Sequence, residues 1–516
     1  MFNAEPATHS HGIDPPSLCD ERLQNLDIRL WTTVNIDSTT AARCISLYLE
    51  TDHPLLGHFD PELFLSHLTT GQTEYCSALL VNALLYWASQ MYSAVEPQTD
   101  DLAMRFCAEA ERLWKEECVN DSVVNIAAAQ FLSLGYLGHG RDHSVLHYLG
   151  QASNMGRRMG LFDSGPAANN PCLTFDGLTV AESRARLYAA WGFISRLMSL
   201  FYHQPGLNCP KSPPSLPIPG GEHLDDQQES EFAQAQAVPL LPFMGKTFAF
   251  LCQFWRIVRE ISLVYHQDGT SPVDGHHSLR FAEFKFRELL AWSNGLPSHL
   301  LRGDHKPHHV QILHLWFHAA VLELFRPCAQ GGLAARRRLR TFTSTSSTPE
   351  AVCNASVEQL KHLILNFRLN YKSSTYTILW HTAMIYVANA LLHSSKMDGW
   401  FSYFLLCVYG YERLRRSWRV TEAIAKGLLA MTLRSGDISN QTARHILQDL
   451  ERKKVSEMPE PVSAQFPIDL DLALSDPISA TAESLAGQFE ETILLDDYTH
   501  EFDNDNDNDN GESSST

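Results

Sequence analysis

Closely spaced cysteines are missing from this sequence. Its 11 cysteines are scattered between Cys19 and Cys407, no CxxC pair occurs, and the nearest two, Cys107 and Cys118, are eleven residues apart. A site that holds two zinc ions through six thiolates needs cysteines in close pairs, so the printed sequence contains no such cluster. An odd number of scattered cysteines in a long chain also argues against a secreted disulfide framework. We therefore expect reduced, mostly buried thiols, as in proteins of the cytosol or nucleus.

The sequence also has little positive charge. The formal net charge is −19, and the stretch from Glu457 to the C-terminus holds 16 acidic residues but no lysine or arginine. The rest of the chain therefore has a net charge of only −3. A near-neutral body lacks the broad basic surface on which non-specific binding to nucleic acid depends, so direct DNA binding is not expected from this chain alone.

An apolar leader and a clear membrane span are missing as well. The first 20 residues contain no apolar run of the kind that a signal peptide needs. The stretch 76–95 has no charged residue and the stretch 371–395 has a single lysine, so each is either a membrane span or a buried core helix. Both contain asparagine and serine, which a lipid-facing helix would have to satisfy internally, and neither has a clear basic flank. Buried core helices are therefore favoured.

Familiar catalytic motifs such as GxSxG or a P-loop are missing too. His314 and His318 have a spacing that suits a metal ion on a helix, but Leu315 stands in place of the glutamate of an HExxH site. The run Asp225–Glu229 superficially resembles the magnesium-binding motif of helical terpene cyclases, but it follows a proline- and glycine-rich stretch. We expect no enzyme activity and no bound metal or cofactor. A metal-dependent, terpene-cyclase-like lyase is the alternative.

What the sequence does have is helical periodicity along most of its length. In the stretch 181–201, Leu187, Trp191, Ile194 and Met198 recur at intervals of three and four residues and form one apolar stripe. Leucine, alanine and aromatic residues dominate, without an alternating strand–helix pattern, which predicts an all-α fold. Helices are predicted at 39–50, 61–68, 74–95, 100–118, 122–137, 144–159, 181–201, 243–265, 278–292, 308–324, 352–367, 376–393, 400–417, 421–433 and 439–452.

The composition divides the chain into five parts. A flexible N-terminus is expected at 1–28, and a proline-rich then acidic linker at 204–240 separates an N-terminal helical lobe (29–203) from a C-terminal helical lobe (241–455). Residues 456–516 are acidic, end in a DNDNDNDN repeat, and are expected to form a disordered tail.

Two segments carry a family resemblance. The first is NIAAAQFLSLGYLGHGRDHSVLHYLGQASNMGRRMGLF (125–162), and the second is ESRARLYAAWGFISRLMSLFYHQP (182–205). Together they resemble the regulatory, or middle homology, region of fungal zinc-cluster transcription factors. Ser195 stands where the family prefers aspartate, and His203 and Gln204 stand where it prefers glycine and arginine. The family-motif positions that match are Glu182, Arg186, Trp191, Arg196 and Pro205.

This resemblance implies a nuclear transcription regulator that acts through a helical regulatory domain and controls a metabolic or secondary-metabolite gene cluster. Its expected partners are coactivators or other transcription regulators, with a second copy of the chain and a small-molecule effector left open. Zinc is expected as a cofactor only if a zinc-cluster segment lies outside the printed sequence. A corepressor or interaction protein that does not bind DNA is a further alternative.

Three groups of residues are candidates for specific roles. Arg186 and Arg196 lie off the apolar stripe of their helix, where a solvated or salt-bridged flank is the simpler interpretation. A run of arginines is either a nuclear-import patch or a solvated loop: Arg336, Arg337, Arg338 and Arg340. Apolar residues among carboxylates predict an activation tail that recruits coactivators: Phe466, Leu470, Leu472, Phe489, Leu494, Leu495 and Tyr498.

Overall fold

The structure is a computed structural model of the chain. The residues that it describes are 18–163, 178–199, 210–220, 240–266, 279–303, 305–329, 337–344, 346–393, 396, 398–451 and 462–493.

The described residues confirm the all-α prediction, with two isolated β-bridges and no strand among them. The helices are α1 (Ser38–Thr51), α2 (His53–Leu56), α3 (Pro61–Thr70), α4 (Ala78–Tyr92), α5 (Asp100–Glu117), α6 (Val123–His139), α7 (Asp142–Arg158), α8 (Val180–Ser199), α9 (Thr247–His266), α10 (Leu279–Asn294), α11 (His308–Ala329), α12 (Pro349–Asn370), α13 (His381–His393), α14 (Trp400–Leu414), α15 (Val420–Arg434), α16 (Asn440–Glu451) and α17 (482–493). Short 3-10 turns lie at Glu21–Asn25, Ile28–Leu30, Pro97–Thr99, Lys372–Thr375 and Leu472–Leu474.

Several helices begin and end where local side chains satisfy the backbone. Ser77 and Ser122 each accept the backbone N–H three residues further on at 3.0 Å, which starts α4 and α6. Asp60 does the same for α3, accepting two N–H groups at 3.0 Å. Gly140 ends α6 in the left-handed conformation (φ 68°). This conformation causes little steric strain in glycine, because glycine has no Cβ.

One continuous buried core joins the two predicted lobes. Trp87 of α4 lies against Trp418, in the connection between α14 and α15, with ring centroids 4.2 Å apart. Trp255 of α9, which is 5.1 Å from Trp316 of α11 within the C-terminal lobe, donates to Ser195 of α8 in the N-terminal lobe. The lobes therefore share their hydrophobic stabilisation across the boundary that the sequence suggested.

The two stretches that were weighed as membrane spans, 76–95 and 371–395, contain core helices, as predicted. Nearly all of α4 and α13 is buried against other helices. In the part of the chain that the structure describes, no helix combines the length and the apolarity that a membrane crossing requires.

Two boundaries drawn from composition are corrected by the packing. Residues 18–28, assigned to a flexible N-terminus, contain the buried Leu23 and Leu26, and Arg22 forms an ion pair with Glu62 at 2.7 Å. Within the predicted linker, residues 210–220 also pack on the body, because Trp191 binds this stretch through its indole nitrogen. In both stretches, a few buried or hydrogen-bonded side chains order a segment whose polar composition had predicted flexibility.

The predicted disordered tail is wrong for residues 462–493, named here the C-terminal segment. This segment packs against the helical body (residues 18–451), with Phe466, Ile468, Leu485 and Phe489 all buried. Its composition is acidic, but its apolar residues reach the core that the body provides. A segment that cannot fold alone can still be stabilised by docking.

Candidate functional site

The family-motif helix α8 begins with a local capping box. The backbone N–H of Thr179 donates to the Glu182 carboxylate at 2.8 Å, and the Glu182 N–H donates to the Thr179 hydroxyl at 3.2 Å. The backbone N–H and the hydroxyl of Thr179 both donate to the Glu182 carboxylate, and they hold the pKa of Glu182 below its usual range. Glu182 therefore has a local role in starting the helix. Arg186, one turn further on, is partly exposed.

Arg196 is not on a solvated flank, which corrects the interpretation from sequence. Its side chain has no exposed surface, and Nε and Nη2 donate to the Ser133 hydroxyl of α6 at 3.2 and 2.9 Å. The helical stripe predicted only which face is apolar. The stripe could not reveal that α6 packs against α8 near Arg196 and places the Ser133 hydroxyl within hydrogen-bond distance of the guanidinium.

Trp191 and Ser195 connect α8 to its neighbours through single atoms. The Trp191 indole N–H donates to the carbonyls of Leu216 and Pro217 at 3.0 and 2.9 Å. The Ser195 hydroxyl donates to the Leu55 carbonyl at 2.8 Å and accepts from the Trp255 indole at 3.0 Å. Trp191, Ser195 and Arg196 therefore join α8 to neighbouring segments of the fold, whereas Glu182 acts within its own helix. Pro205 lies outside the described residues.

The centre of the body contains a buried turn, defined as residues 52–60. It carries four titratable side chains, Asp52, His53, His58 and Asp60, and every residue of the turn is buried. Gly57 has φ +57°, and a Cβ at this position would lie 2.2 Å from the Phe248 ring. The turn therefore fits between α8 and α9 only because residue 57 has no side chain.

Asp52 joins the two predicted lobes. Its carboxylate accepts from the Thr377 hydroxyl at 2.7 Å and from the Trp87 indole at 3.1 Å, and both donors are neutral. Burial raises the pKa of Asp52 to about 7, and those two hydrogen bonds offset only part of this effect. Asp60 is also buried, but it pairs with Arg184 at 2.7 Å.

The two histidines of the turn are held neutral by burial. Burial lowers the pKa of His53 to about 3, and the Tyr48 hydroxyl lies 2.9 Å from its Nδ1. The pKa of His58 is also lowered by burial, with smaller contributions from His53 and Arg196. Neutral imidazoles in a dry interior suit a structural role better than proton transfer with solvent.

A small cavity lies beside the buried turn. Its lining includes His58, Asp60, Tyr75, Leu80 and Val124, and its space is about 20 Å³. That is room for roughly one water molecule, whereas organic ligands occupy pockets of about 300–1,000 Å³. A small-molecule effector would need this region to open.

Side chains of the body form hydrogen bonds with the backbone of the C-terminal segment. The Asn389 side chain of α13 donates to the Ile468 carbonyl at 2.7 Å and accepts from the Leu470 N–H at 2.9 Å. Arg326 of α11 donates to the Leu470 carbonyl at 2.8 Å. Arg434 of α15 forms an ion pair with the fully buried Asp469.

The predicted activation residues are divided by this docking. Phe466 and Phe489 are buried, so these two residues do not belong to a disordered tail. Leu470 and Leu472 are half-buried. Leu494, Leu495 and Tyr498 lie outside the described residues. The alternation of acidic and apolar residues signals both a coactivator-binding tail and an acidic docking strip, and composition alone cannot separate them.

The basic loop, residues 337–344, is exposed apart from its anchors. Arg337, Arg338 and Arg340 are at the surface, while Leu339 is fully buried. The Arg338 guanidinium donates to the carbonyls of Phe342 and Thr343 at 3.0 and 2.7 Å. Arg336 lies outside the described residues.

The residues considered for metal binding have other surroundings. His314 Nε2 lies 3.0 Å from the Leu300 carbonyl, and His318 Nδ1 lies 3.4 Å from the Ser356 hydroxyl. Burial lowers the pKa of both histidines. No group of three or more metal-ligating side chains is present among the residues described. The run Asp225–Glu229 lies outside them.

Comparison with known proteins gives two similar curated sequences. The chain is 24% identical over 344 residues to the nitrogen assimilation transcription factor nit-4 of Neurospora crassa, which covers 60% of this chain and 29% of that protein. It is 24% identical over 395 residues to the notoamide biosynthesis transcriptional activator notL' of Aspergillus versicolor, covering 72% and 60%. The chain thus spans less than two thirds of either relative. No family model and no solved structure matches it.

Both similar proteins are transcription regulators rather than enzymes, in agreement with the expectation from sequence. Sequence reasoning missed the residues that hold the molecule together at this site. The signals were present, since DHPLLGHFD (52–60) concentrates polar residues in an apolar region and Asn389 interrupts an uncharged helix. The partner Thr377 of Asp52, however, is 325 residues away along the chain, and the partner Ile468 of Asn389 is 79 residues away.

Proposed function

We propose that this chain is a fungal transcription regulator that acts through protein contacts of its helical body and C-terminal segment. The similarity to two transcription regulators over 60% and 72% of the chain carries the proposal. The near-neutral body supports action through partners. Contact with a promoter is then supplied by a partner protein or by a zinc-cluster region outside the printed sequence.

A tethering experiment tests this function. The whole chain is fused to a neutral DNA-binding module in a fungal host that carries a matching reporter gene. We expect reporter transcription to rise relative to the module alone. A clear fall would favour the corepressor alternative. Unchanged transcription, with the fusion protein present at normal amount, would remove the proposal.

The C-terminal region is proposed to recruit coactivators under control of the body. Because Phe466 and Phe489 are buried, a coactivator could reach them only after the segment leaves the body. Substituting Asn389 and Arg434 with alanine in the tethered full-length chain removes hydrogen bonds and an ion pair that hold the segment. We expect higher reporter activity than with the unsubstituted chain. Equal activity would argue that residues beyond 493, or none, recruit the coactivator.

A nuclear location is proposed to depend on the basic loop. The exposed Arg337, Arg338 and Arg340 offer three positive charges that an acidic import receptor can bind. Replacing all three with glutamine should move a fluorescent fusion of the chain from the nucleus to the cytoplasm. Glutamine at three exposed arginines elsewhere should leave it nuclear: Arg29, Arg112 and Arg158.

The target genes are proposed to belong to a metabolic or secondary-metabolite pathway. The two similar proteins are named for nitrogen assimilation and for notoamide biosynthesis, and this is the support for the proposal. Deleting the gene and sequencing the transcriptome should reveal coordinated changes in one pathway or one contiguous gene cluster. Scattered changes without a common pathway would contradict it.

A further inference from the structure

We infer that Thr343, in the basic loop, is a phosphorylation site for a serine/threonine kinase that selects basic substrates. Arg338 and Arg340 stand five and three residues before Thr343. Kinases discriminate among substrates through charge patterns, with acidic groups on the enzyme that pair with arginines at a fixed distance from the acceptor. The arginine spacing also admits Thr341, since Arg338 and Arg336 precede it by three and five residues. The structure distinguishes the two threonines.

The basic loop exposes Thr343 at the surface and is held to the body by only a few contacts. Arg340, Thr341 and Thr343 are exposed, and Ser347 closes the loop by accepting from the Leu339 N–H at 2.8 Å. The buried Leu339 side chain fixes one end. A segment with few buried contacts opens locally at low free energy, so a kinase can extend it without unfolding the core.

The ring of Phe342 provides a second anchor and sets the direction of its neighbours. It lies 5.7 Å from the ring of Phe286 on α10, with the ring planes tilted. Thr341 and Thr343 flank this aromatic anchor, one on each side along the chain. The backbones of Thr341 and Thr343 therefore contact different residues, although only one residue separates the two threonines.

Thr341 is fastened to a carboxylate. Its backbone N–H donates to Glu283, a residue of α10 that is only 6% exposed. Kinase binding at Thr341 would have to break this charge-assisted bond. A phosphate placed there would also lie near a negative charge, which disfavours the modified loop.

Thr343 instead lies beside a guanidinium. The Nη2 of Arg338 already donates to the Thr343 carbonyl at 2.7 Å. A phosphate on the Thr343 hydroxyl would be within reach of the same side chain and could accept charge-assisted hydrogen bonds from it. Modification at Thr343 is therefore compatible with the folded loop, and modification at Thr341 is not.

The reaction is phosphoryl transfer from a nucleoside triphosphate. The Thr343 hydroxyl oxygen forms a bond to the γ-phosphorus, the bond from that phosphorus to the bridging oxygen breaks, and the nucleoside diphosphate leaves. The hydroxyl proton passes to a base of the kinase. The product carries a charge of about −1.5 to −2 at pH 7, which offsets about half to two thirds of the charge on Arg337, Arg338 and Arg340. Phosphorylation thus lowers the positive charge of the loop.

The test uses the purified full-length chain with magnesium ATP and a purified kinase that requires arginine at positions −5 and −3. Mass spectrometry of the digested protein should place most of the phosphate on Thr343. The T343A variant should lose that phosphate, while T341A should keep it. The R340Q variant should reduce the rate roughly tenfold, the effect of losing one charge-assisted pair, since Arg340 is at −3 only for Thr343.

Two results would overturn the inference. One is phosphate mainly on Thr341, and the other is no phosphate on the loop under conditions in which a control peptide with the same arginine spacing is fully modified. The melting temperature of each variant is measured alongside. We expect it to be unchanged, because the substituted side chains are exposed.

Discussion

Asp52 in the buried turn and Asp469 in the C-terminal segment both lack exposed surface, but their partners differ in charge. Asp52 accepts from two neutral donors, Thr377 and Trp87, at the centre of the body. Asp469 is paired with Arg434, whose side chain is 45% exposed, at the edge of the body. The central carboxylate is stable when protonated, whereas the peripheral one depends on an ion pair that solvent can reach.

The two regions also differ in how they can leave the fold. The buried turn is enclosed by α6, α8 and α9, so its release would require the core to separate. The C-terminal segment lies on the outside of the body, and Ile468 reaches the core because Gly427 leaves space on α15. We therefore expect the turn to unfold with the whole protein and the segment to detach earlier. Four experiments test this comparison.

The largest effect is expected from filling the space at Gly57. The G57A variant places a methyl group in a left-handed conformation and against the Phe248 ring. We expect the free energy of unfolding to fall by roughly 3–5 kcal/mol, the sum of backbone strain and overpacking. Urea denaturation of the whole chain measures this loss. The control is G399A, also at positive φ (79°) but with open space around it, which should cost only about 1–2 kcal/mol.

Local sequence signals predicted the helices well. Ser77, Ser122 and Asp60 are cap residues that can be read directly, and most predicted helix ends lie within two residues of the observed ones. The helix predicted at 376–393 begins only at His381, because Thr377 is held by Asp52. Contacts between distant parts of the chain decided this difference, and also the burial of Arg196 and of the C-terminal segment. Periodicity and composition describe neighbours along the chain, so they contain no information on such contacts.

The second effect concerns the anchoring of the C-terminal segment. Replacing Phe466 with alanine removes a buried ring and should weaken docking by roughly 3 kcal/mol. Limited proteolysis should then cleave within residues 462–493 well before the body is attacked. The matched control is I478A, since Ile478 is 81% exposed and its loss should leave cleavage unchanged. Cleavage of body and segment at the same rate in F466A would show that the two regions unfold together.

The third effect concerns the protonation of Asp52. The pKa of Asp52 is raised to about 7 from a value near 3.8 when unfolded, so the folded state holds the proton more tightly between these values. Its contribution to stability is therefore present at low pH and is lost as pH rises through about 7. Asparagine imitates the protonated acid. The stability of D52N relative to the original chain should increase by about 1–3 kcal/mol from pH 4 to pH 8.

Comparing the two chains at each pH cancels the opposite trend of the buried histidines. His53 and His381 have pKa values lowered to about 3 and 4, so they favour the folded state increasingly as pH rises towards 6.5. Urea denaturation at a series of pH values provides the data. A difference that stays constant with pH would mean that Asp52 is ionised in the folded protein at pH 4.

The smallest effect is the salt dependence of docking. The ion pair between Arg434 and Asp469, and that between Lys426 and Glu490 at 2.7 Å, join the C-terminal segment to α15. Raising salt from about 0.05 M to about 1 M shortens the screening length to about 3 Å and should weaken docking by up to about 1 kcal/mol. Protease cleavage within the segment should therefore become a few times faster with salt. The R434Q variant should lose part of this dependence, whereas R29Q, which breaks an exposed pair remote from the segment, should keep all of it. Within the buried turn, Asp52 accepts from neutral donors and the ion pair between Asp60 and Arg184 is almost fully buried, so salt screens it weakly. Global unfolding should therefore respond to salt less than docking does. A similar response of both would show that charge does not distinguish the two regions.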